Sequence, residues 1–215
     1  MKSFFVILLS IIMCSIIYSQ EDSANSNYAL SFGIADNFRL DRFNMDIAVK
    51  KIIDDTHQLR LFLSPRVSTR DDEEKMSENN QTRKIELLSY SLGIGADYLW
   101  LLIASEDINM FGGTGLVLTY GNRNEKQTAN IDSNRSINET DSPFTNIGIR
   151  GTLGVEWKVT DRIGIHSEYL LTGSYNWNKS ETKSSINDID NPTRTITSSG
   201  ISLGSAVLFG ISIYL

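Results

Sequence analysis

The sequence predicts an all-β chain: an eight-stranded antiparallel up-and-down β-barrel that crosses a membrane, preceded by a cleavable signal peptide. Three observations predict it. Apolar residues recur at every second position in segment after segment, the period of a strand with two unlike faces. The connections between those segments alternate between long and short, as in barrels with long external loops and short turns at the other end. Opposite each aliphatic stripe stand small residues and a few charges of balanced sign.

The first element is an address. Met1-Lys2-Ser3 carries one positive charge, Phe4 to Ile17 is apolar apart from Ser10 and Ser15, and Ser19 supplies a small residue at the cut. This is the layout of a secretory signal peptide over 1–19, and it is too short for a spanning helix. Cys14 is the only cysteine and lies in this leader. The mature chain, 20–215, therefore has no internal disulfide, thiol nucleophile or Cys-ligated metal.

Eight alternating segments follow. Tyr28, Leu30, Phe32 and Ile34 make the first stripe. Met45, Ile47 and Val49 make the second, and Leu59, Leu61 and Leu63 the third. The fourth carries Leu88, Tyr90, Leu92 and Ile94; the fifth Met110, Thr114, Leu116, Leu118 and Tyr120. The clearest are the last three: Ile147 to Trp157, Ile163 to Tyr175, and Ile201 to Leu215. Tyr98 to Ile103 breaks the alternation. The connections 36–43, 67–83, 122–143 and 178–198 are polar and are expected as loops, with short turns near 53–56, 104–107 and 158–162. Pro65 is expected at the upper end of its strand, where a missing donor is tolerated. The last strand runs to Leu215, so nothing is expected after the barrel.

Alternation leaves open which face meets water. Side-chain size decides. Twelve of the 15 glycines fall opposite the aliphatic stripe, and an eight-stranded interior is only wide enough for side chains to fill it. Glycines and paired charges suit that interior; rows of Ile, Leu and Phe suit hydrocarbon. The predicted polar network of the lumen is Asp46, Lys50, Arg60, Arg150, Glu156, His166 and Glu168. Tyr28, Tyr98, Trp100, Tyr120, Trp157, Tyr175 and Trp177 fall near strand ends, where interfacial girdles sit. Backbone facing lipid must be fully paired, so the first and last strands are expected to close the ring.

Two stretches resemble a known family. Gly210-Ile211-Ser212-Ile213-Tyr214-Leu215 resembles the terminal assembly signal of bacterial outer-membrane barrels, with Gly210, Ile213 and Leu215 in the signal positions and Leu in place of the usual final Phe. Gly154 to Tyr169 resembles a hairpin of small OmpA/OmpX-type barrels: an aromatic strand end, a Thr160-Asp161 turn, then Glu168-Tyr169. The resemblance implies the outer membrane of a Gram-negative-type bacterium, with its lipids and its assembly machinery as partners.

Composition bounds the rest. A net charge of −6 argues against nucleic acid. With two histidines, His57 and His166, no multi-His metal site is expected, nor any cofactor. His166-Ser167-Glu168 invites a Ser-His-acid reading, but adjacent strand residues point to opposite faces. No catalytic residue is assigned. The expected role is structural or one of surface interaction, non-enzymatic, with an extracellular ligand on loops 67–83, 122–143 and 178–198. The alternatives are a lipid-modifying enzyme, a narrow pore, and a secreted lipocalin-like binder.

Overall fold

The computed structural model describes residues 28–35, 42–76, 81–131, 134–187 and 189–215. The expected signal peptide and its cut at Ser19 lie outside the described residues, as do positions 36–41 of the first polar connection. The elements are β1 (Tyr28–Ala35), β2 (Arg42–Ile52), β3 (His57–Met76), β4 (Gln81–Ala104), β5 (Ile108–Ile131), β6 (Asn134–Thr160), β7 (Ile163–Ile186), β8 (Ile189–Asp190) and β9 (Arg194–Tyr214). Each neighbour is antiparallel, and β8 is a two-residue stub paired to the top of β7. The other eight strands form the wall.

The wall closes. β1 runs beside β9 from Ala29↔Tyr214 to Ala35↔Leu208, and the Leu215 amide donates to the Tyr28 carbonyl at 3.0 Å. One row of register partners leaves β1 at Leu30 and passes Val49, Leu61, Ala96, Leu116, Ile149 and Gly173. It arrives on β9 at Leu203, ten residues from Ile213, the β9 partner of Leu30 itself. That offset is the shear of the barrel, and with eight strands it tilts them by roughly 40°. No edge is left in the ring, so its backbone groups have partners without water.

The two faces are those predicted. Leu61, Leu116, Ile149, Val155, Ile165, Phe209 and Ile211 stand outward and exposed, while Lys50, Arg60, Phe62 and Leu208 are buried inside. Such an exterior would collapse or aggregate in water and is at rest in hydrocarbon. Tyr28, Tyr98, Trp100 and Trp157 ring one end and Tyr120, Tyr175 and Trp177 the other, all exposed, with Tyr90 completing the upper girdle. No described helix is long and apolar enough to cross a membrane; the strands make the crossing.

Glycine placement explains how so narrow a lumen holds large side chains. Phe62 is the register partner of Gly95, Leu99 of Gly113 and Phe111 of Gly154. A Cβ on Gly154 would lie 2.4 Å from the Phe111 ring, and one on Gly95 2.2 Å from Phe62. Each bulky inward residue therefore occupies the space a neighbouring strand leaves empty.

Several expectations are corrected. The polar connections 67–83, 122–143 and 178–198 are for the most part strand: β3 and β4, β5 and β6, and β7 and β9 continue as paired ladders past the upper girdle. Outside the membrane both faces are wet, so the apolar alternation lapses while the backbone ladder goes on. Pro65 lies inside β3, not at its end. The β2–β3 register is interrupted opposite it, between Asn44↔Arg66 and Ile47↔Leu63, so its missing donor falls at a break in the ladder. There Ser64 Oγ donates to Asp46 Oδ1 at 2.6 Å. The broken alternation at Tyr98–Ile103 is a β-bulge between Leu101 and Ile103, which leaves Leu102 and Ile103 both exposed to the lower interface.

The short turns are locally specified. Asp54 Oδ1 accepts from the Thr56 amide and hydroxyl, each at 2.8 Å, and from His57 Nδ1 at 2.9 Å. Those donors hold its carboxyl at about 2, below the usual carboxylate range. Ser105 Oγ bridges the next turn, accepting from the Ile108 amide at 2.9 Å and donating to its carbonyl at 2.7 Å. Thr160 Oγ1 accepts from the Arg162 and Ile163 amides in the third.

Candidate functional site

Charged side chains concentrate in the lower and middle lumen, where the closed wall brings strands far apart in sequence within reach. Arg60 on β3 is the register partner of Asp97 on β4, and the next strand offers Gly115 opposite Asp97 and Arg150. Because Gly115 has no side chain, Arg150 reaches across β5 to the same carboxylate; a Cβ there would lie 2.1 Å from Asp97 Oδ1. Asp97 thus accepts from Arg60 Nε at 2.9 Å and from Arg150 Nε at 3.2 Å, with a further short contact to the Arg150 terminal nitrogen. Arg60 also donates to both oxygens of Glu168, at 2.6 and 2.7 Å, and Arg150 lies 3.5 Å from Asp46. The Arg150 guanidinium stacks 3.5 Å over the Phe62 ring.

Nearer the lower end, Lys50 donates to Glu156 at 3.4 Å and to Ser212 Oγ at 3.1 Å. His166 joins the two groups: Nδ1 is 3.3 Å from Ser212 Oγ, and Nε2 is 3.4 Å from Ser31 Oγ and 3.7 Å from Glu168. All seven residues predicted for the lumen, Asp46, Lys50, Arg60, Arg150, Glu156, His166 and Glu168, therefore belong to one connected stack. The spacing of residues in the sequence did not reveal its hub. Asp97 is 1% exposed and was missed because the apolar stripe of β4 loses regularity beyond Ile94. The signal was there: Gly93, Gly95, Asp97 continues the small face by twos.

Lys50, Arg60, Asp97, Arg150, Glu156, His166 and Glu168 are each between 1% and 5% exposed. A channel wide enough for water would leave its wall accessible to water, so this stack is a plug. Charges so far from solvent persist only when paired, and removing one partner of such a pair is strongly destabilising. The plug therefore locks strand register as well as filling space. Interior salt bridges and outward aliphatics are the reverse of a lipocalin's apolar cavity, which removes the secreted-binder alternative.

His166 and Ser167 do face opposite ways, the first buried and the second toward the outer surface. The hydroxyls near His166 are Ser31 and Ser212, 4% and 0% exposed. A nucleophile with no surface open to solvent or lipid has no route for a substrate, so this grouping has the contacts of a hydrogen-bond relay and not the access of an acyl-transfer site. Among the described residues no group of three or more His, Cys, Asp or Glu converges in the manner of a metal site. In the terminal segment Gly210 faces inward against His166 and the Phe32 carbonyl, while Ile213 and Leu215 stand outward at the lower rim.

A closed eight-stranded ring, aliphatic outside, ionic inside and girdled by aromatics at both ends, is a small integral barrel of the outer-membrane type. No family model matches the chain, and no curated protein matches it in sequence. Among solved structures it is similar to Neisserial surface protein A, 16% identical with a TM-score of 0.40, over 90% of this chain and 100% of that one. It is also similar to CarO of Acinetobacter baumannii, 9% identical with a TM-score of 0.43, over 91% of this chain and 100% of that one. A third is a major outer membrane protein from Thermus thermophilus, 10% identical with a TM-score of 0.40, over 87% and 98% of the two chains. The fold itself rests on the closed register and the two-faced strands.

Proposed function

We propose that this protein is a non-enzymatic component of the bacterial outer membrane whose barrel is an anchor and whose tall hairpins are the working surface. One observation carries the reading: three hairpins continue as paired strand far beyond the upper girdle. β5 runs eleven residues past Tyr120 to Ile131, still in register with β6 at Ile131↔Asn134. At the tilt of the ring that is a rise of roughly 25–30 Å. A lumen stopped by a plug has no use for such a superstructure, whereas a contact surface held clear of the lipid headgroups does.

The outer face of the hairpins is polar and carries ion pairs across strands, such as Lys126 with Glu139 at 2.7 Å. Lys179 and Glu181 pair at 2.7 Å within β7, which raises the lysine's pKa and lowers the glutamate's. A partner is read as binding residues 67–83, 122–143 and 178–198, now as β-hairpins instead of loose loops. The membrane lipids cover the aliphatic band, and the assembly machinery is read as engaging Gly210, Ile213 and Leu215.

Trypsin applied to intact expressing cells tests the orientation. Cleavage is expected at hairpin sites such as Lys126 and Lys183, leaving a protected barrel that still shifts its gel mobility on boiling. Complete protection until the cells are broken would place the hairpins on the periplasmic side and end this reading.

A further inference from the structure

Above the plug the lumen changes character. Two residues up β2 from Asp46 stands Asn44, and two residues up β3 from Ser64 stands Arg66. Asn44, Arg66 and Ser91 form one register row across β2, β3 and β4, and Ser68 and Ser89 form the next row up. These five residues, with Val67 between Arg66 and Ser68, line a cavity of about 190 Å³. Its volume equals about six waters, or a phosphate with part of its hydration shell. Two residues below it along β2 stands Asp46, which pairs with Arg150 of the plug at 3.5 Å.

Arg66 is the anomaly in this cup. Four other arginines with described side chains each hold a carboxylate: Arg60 and Arg150 below hold Asp97, while above Arg70 holds Asp72 and Arg123 holds Glu125. Arg66 has no hydrogen-bond or ion-pair partner among the described residues, and beside it are three serine hydroxyls without a carboxylate among them. A guanidinium is a planar fork of donors that matches the oxygens of a carboxylate or phosphate, and hydroxyls complete such a shell as neutral donors. On this side β3 pairs with β4 without a break, and β2 rejoins β3 at Asn44↔Arg66, just above the interruption opposite Pro65, which puts the cup between the plug and the outer mouth.

We propose that this cup is a binding site for an oxyanion: the carboxylate or phosphate group of a small water-borne solute, held by Arg66 and the hydroxyls of Ser68, Ser89 and Ser91. It rests on the reading of the barrel as open outward and blind below. The site is for capture and not passage.

The test is NMR titration of the refolded protein in detergent micelles. Inorganic phosphate and acetate should each shift the Ser68, Ser89 and Ser91 amides along saturating curves, and neutral acetamide should not. Arg66→Gln should weaken both anions at least tenfold, and Ser89→Ala to a smaller extent. Arg66 is exposed and unpaired, so Arg66→Gln should keep the boiling-dependent gel shift. That shift is the separate check on the barrel itself. Linear, unsaturating shifts, or curves equal in the wild type and Arg66→Gln, would mean a merely solvated arginine and would overturn the proposal. So would an equal response to acetamide, or a response to added phosphatidylglycerol in the micelle but none to phosphate.

Discussion

Asp97→Ala is the sharpest perturbation of this molecule. Asp97 is 1% exposed and is shared by two guanidinium groups, through Arg60 at 2.9 Å and Arg150 at 3.2 Å. Removing one partner from a buried ionic group costs about 3–5 kcal/mol, because the remaining charge keeps its desolvation and loses its attraction. Here both cations retain a second acceptor, Arg60 with Glu168 at 2.6 Å and Arg150 with Asp46 at 3.5 Å. That places the loss at the lower end, about 3 kcal/mol. Asp97→Asn keeps the volume and one acceptor oxygen, so it should lose roughly half as much. Reversible urea unfolding in phospholipid vesicles measures both, with the emission of Trp100, Trp157 and Trp177 reporting departure from the lipid interface. A loss below about 0.5 kcal/mol for Asp97→Ala would refute the reasoning. It would mean that water already reaches the stack, so the lumen is not plugged at this level.

Two further outcomes follow from the two faces of the wall. Ile149 is 63% exposed within the lipid band, so Ile149→Arg should cost roughly 2–4 kcal/mol in the same vesicle assay, and a neutral result would invert the faces. Gly154→Ala would drive a Cβ to 2.4 Å from Phe111, an overpacking of about 1–3 kcal/mol. Phe111→Leu should recover much of that loss in the double variant, and strict additivity would show that the ring does not sit in the glycine's space.

Much of the architecture is local and so could be read along the chain. A period of two reports a strand whose faces meet different surroundings, and Ile201 to Leu215 states it fifteen residues long. Glycine opposite aliphatic reports which face is crowded. The charges of the lumen were legible for the same reason: Lys50, Arg60, Arg150, Glu156, His166 and Glu168 interrupt rows of small residues on strands with clear stripes. Asp97 was not, because a bulge shortly beyond it, between Leu101 and Ile103, blurs the pattern from which its orientation would be inferred.

The height of the hairpins was hidden for a different reason. Apolar alternation marks a strand only where one face is dry. Beyond Tyr120 and Trp177 both faces are wet, so Asn124 to Asn130 and Lys179 to Ser185 read as loop while forming ladder.

What the chain determined alone, then, is the number of crossings, the outward face and the charges to be buried, since each depends on neighbours two residues apart. The tertiary structure decided which charges meet. Arg60, Asp97, Arg150 and Glu168 come from four strands, and only the closed ring with its ten-residue stagger sets them at one level. Pairing across a lumen depends on register summed around the whole wall, and no local pattern carries that sum.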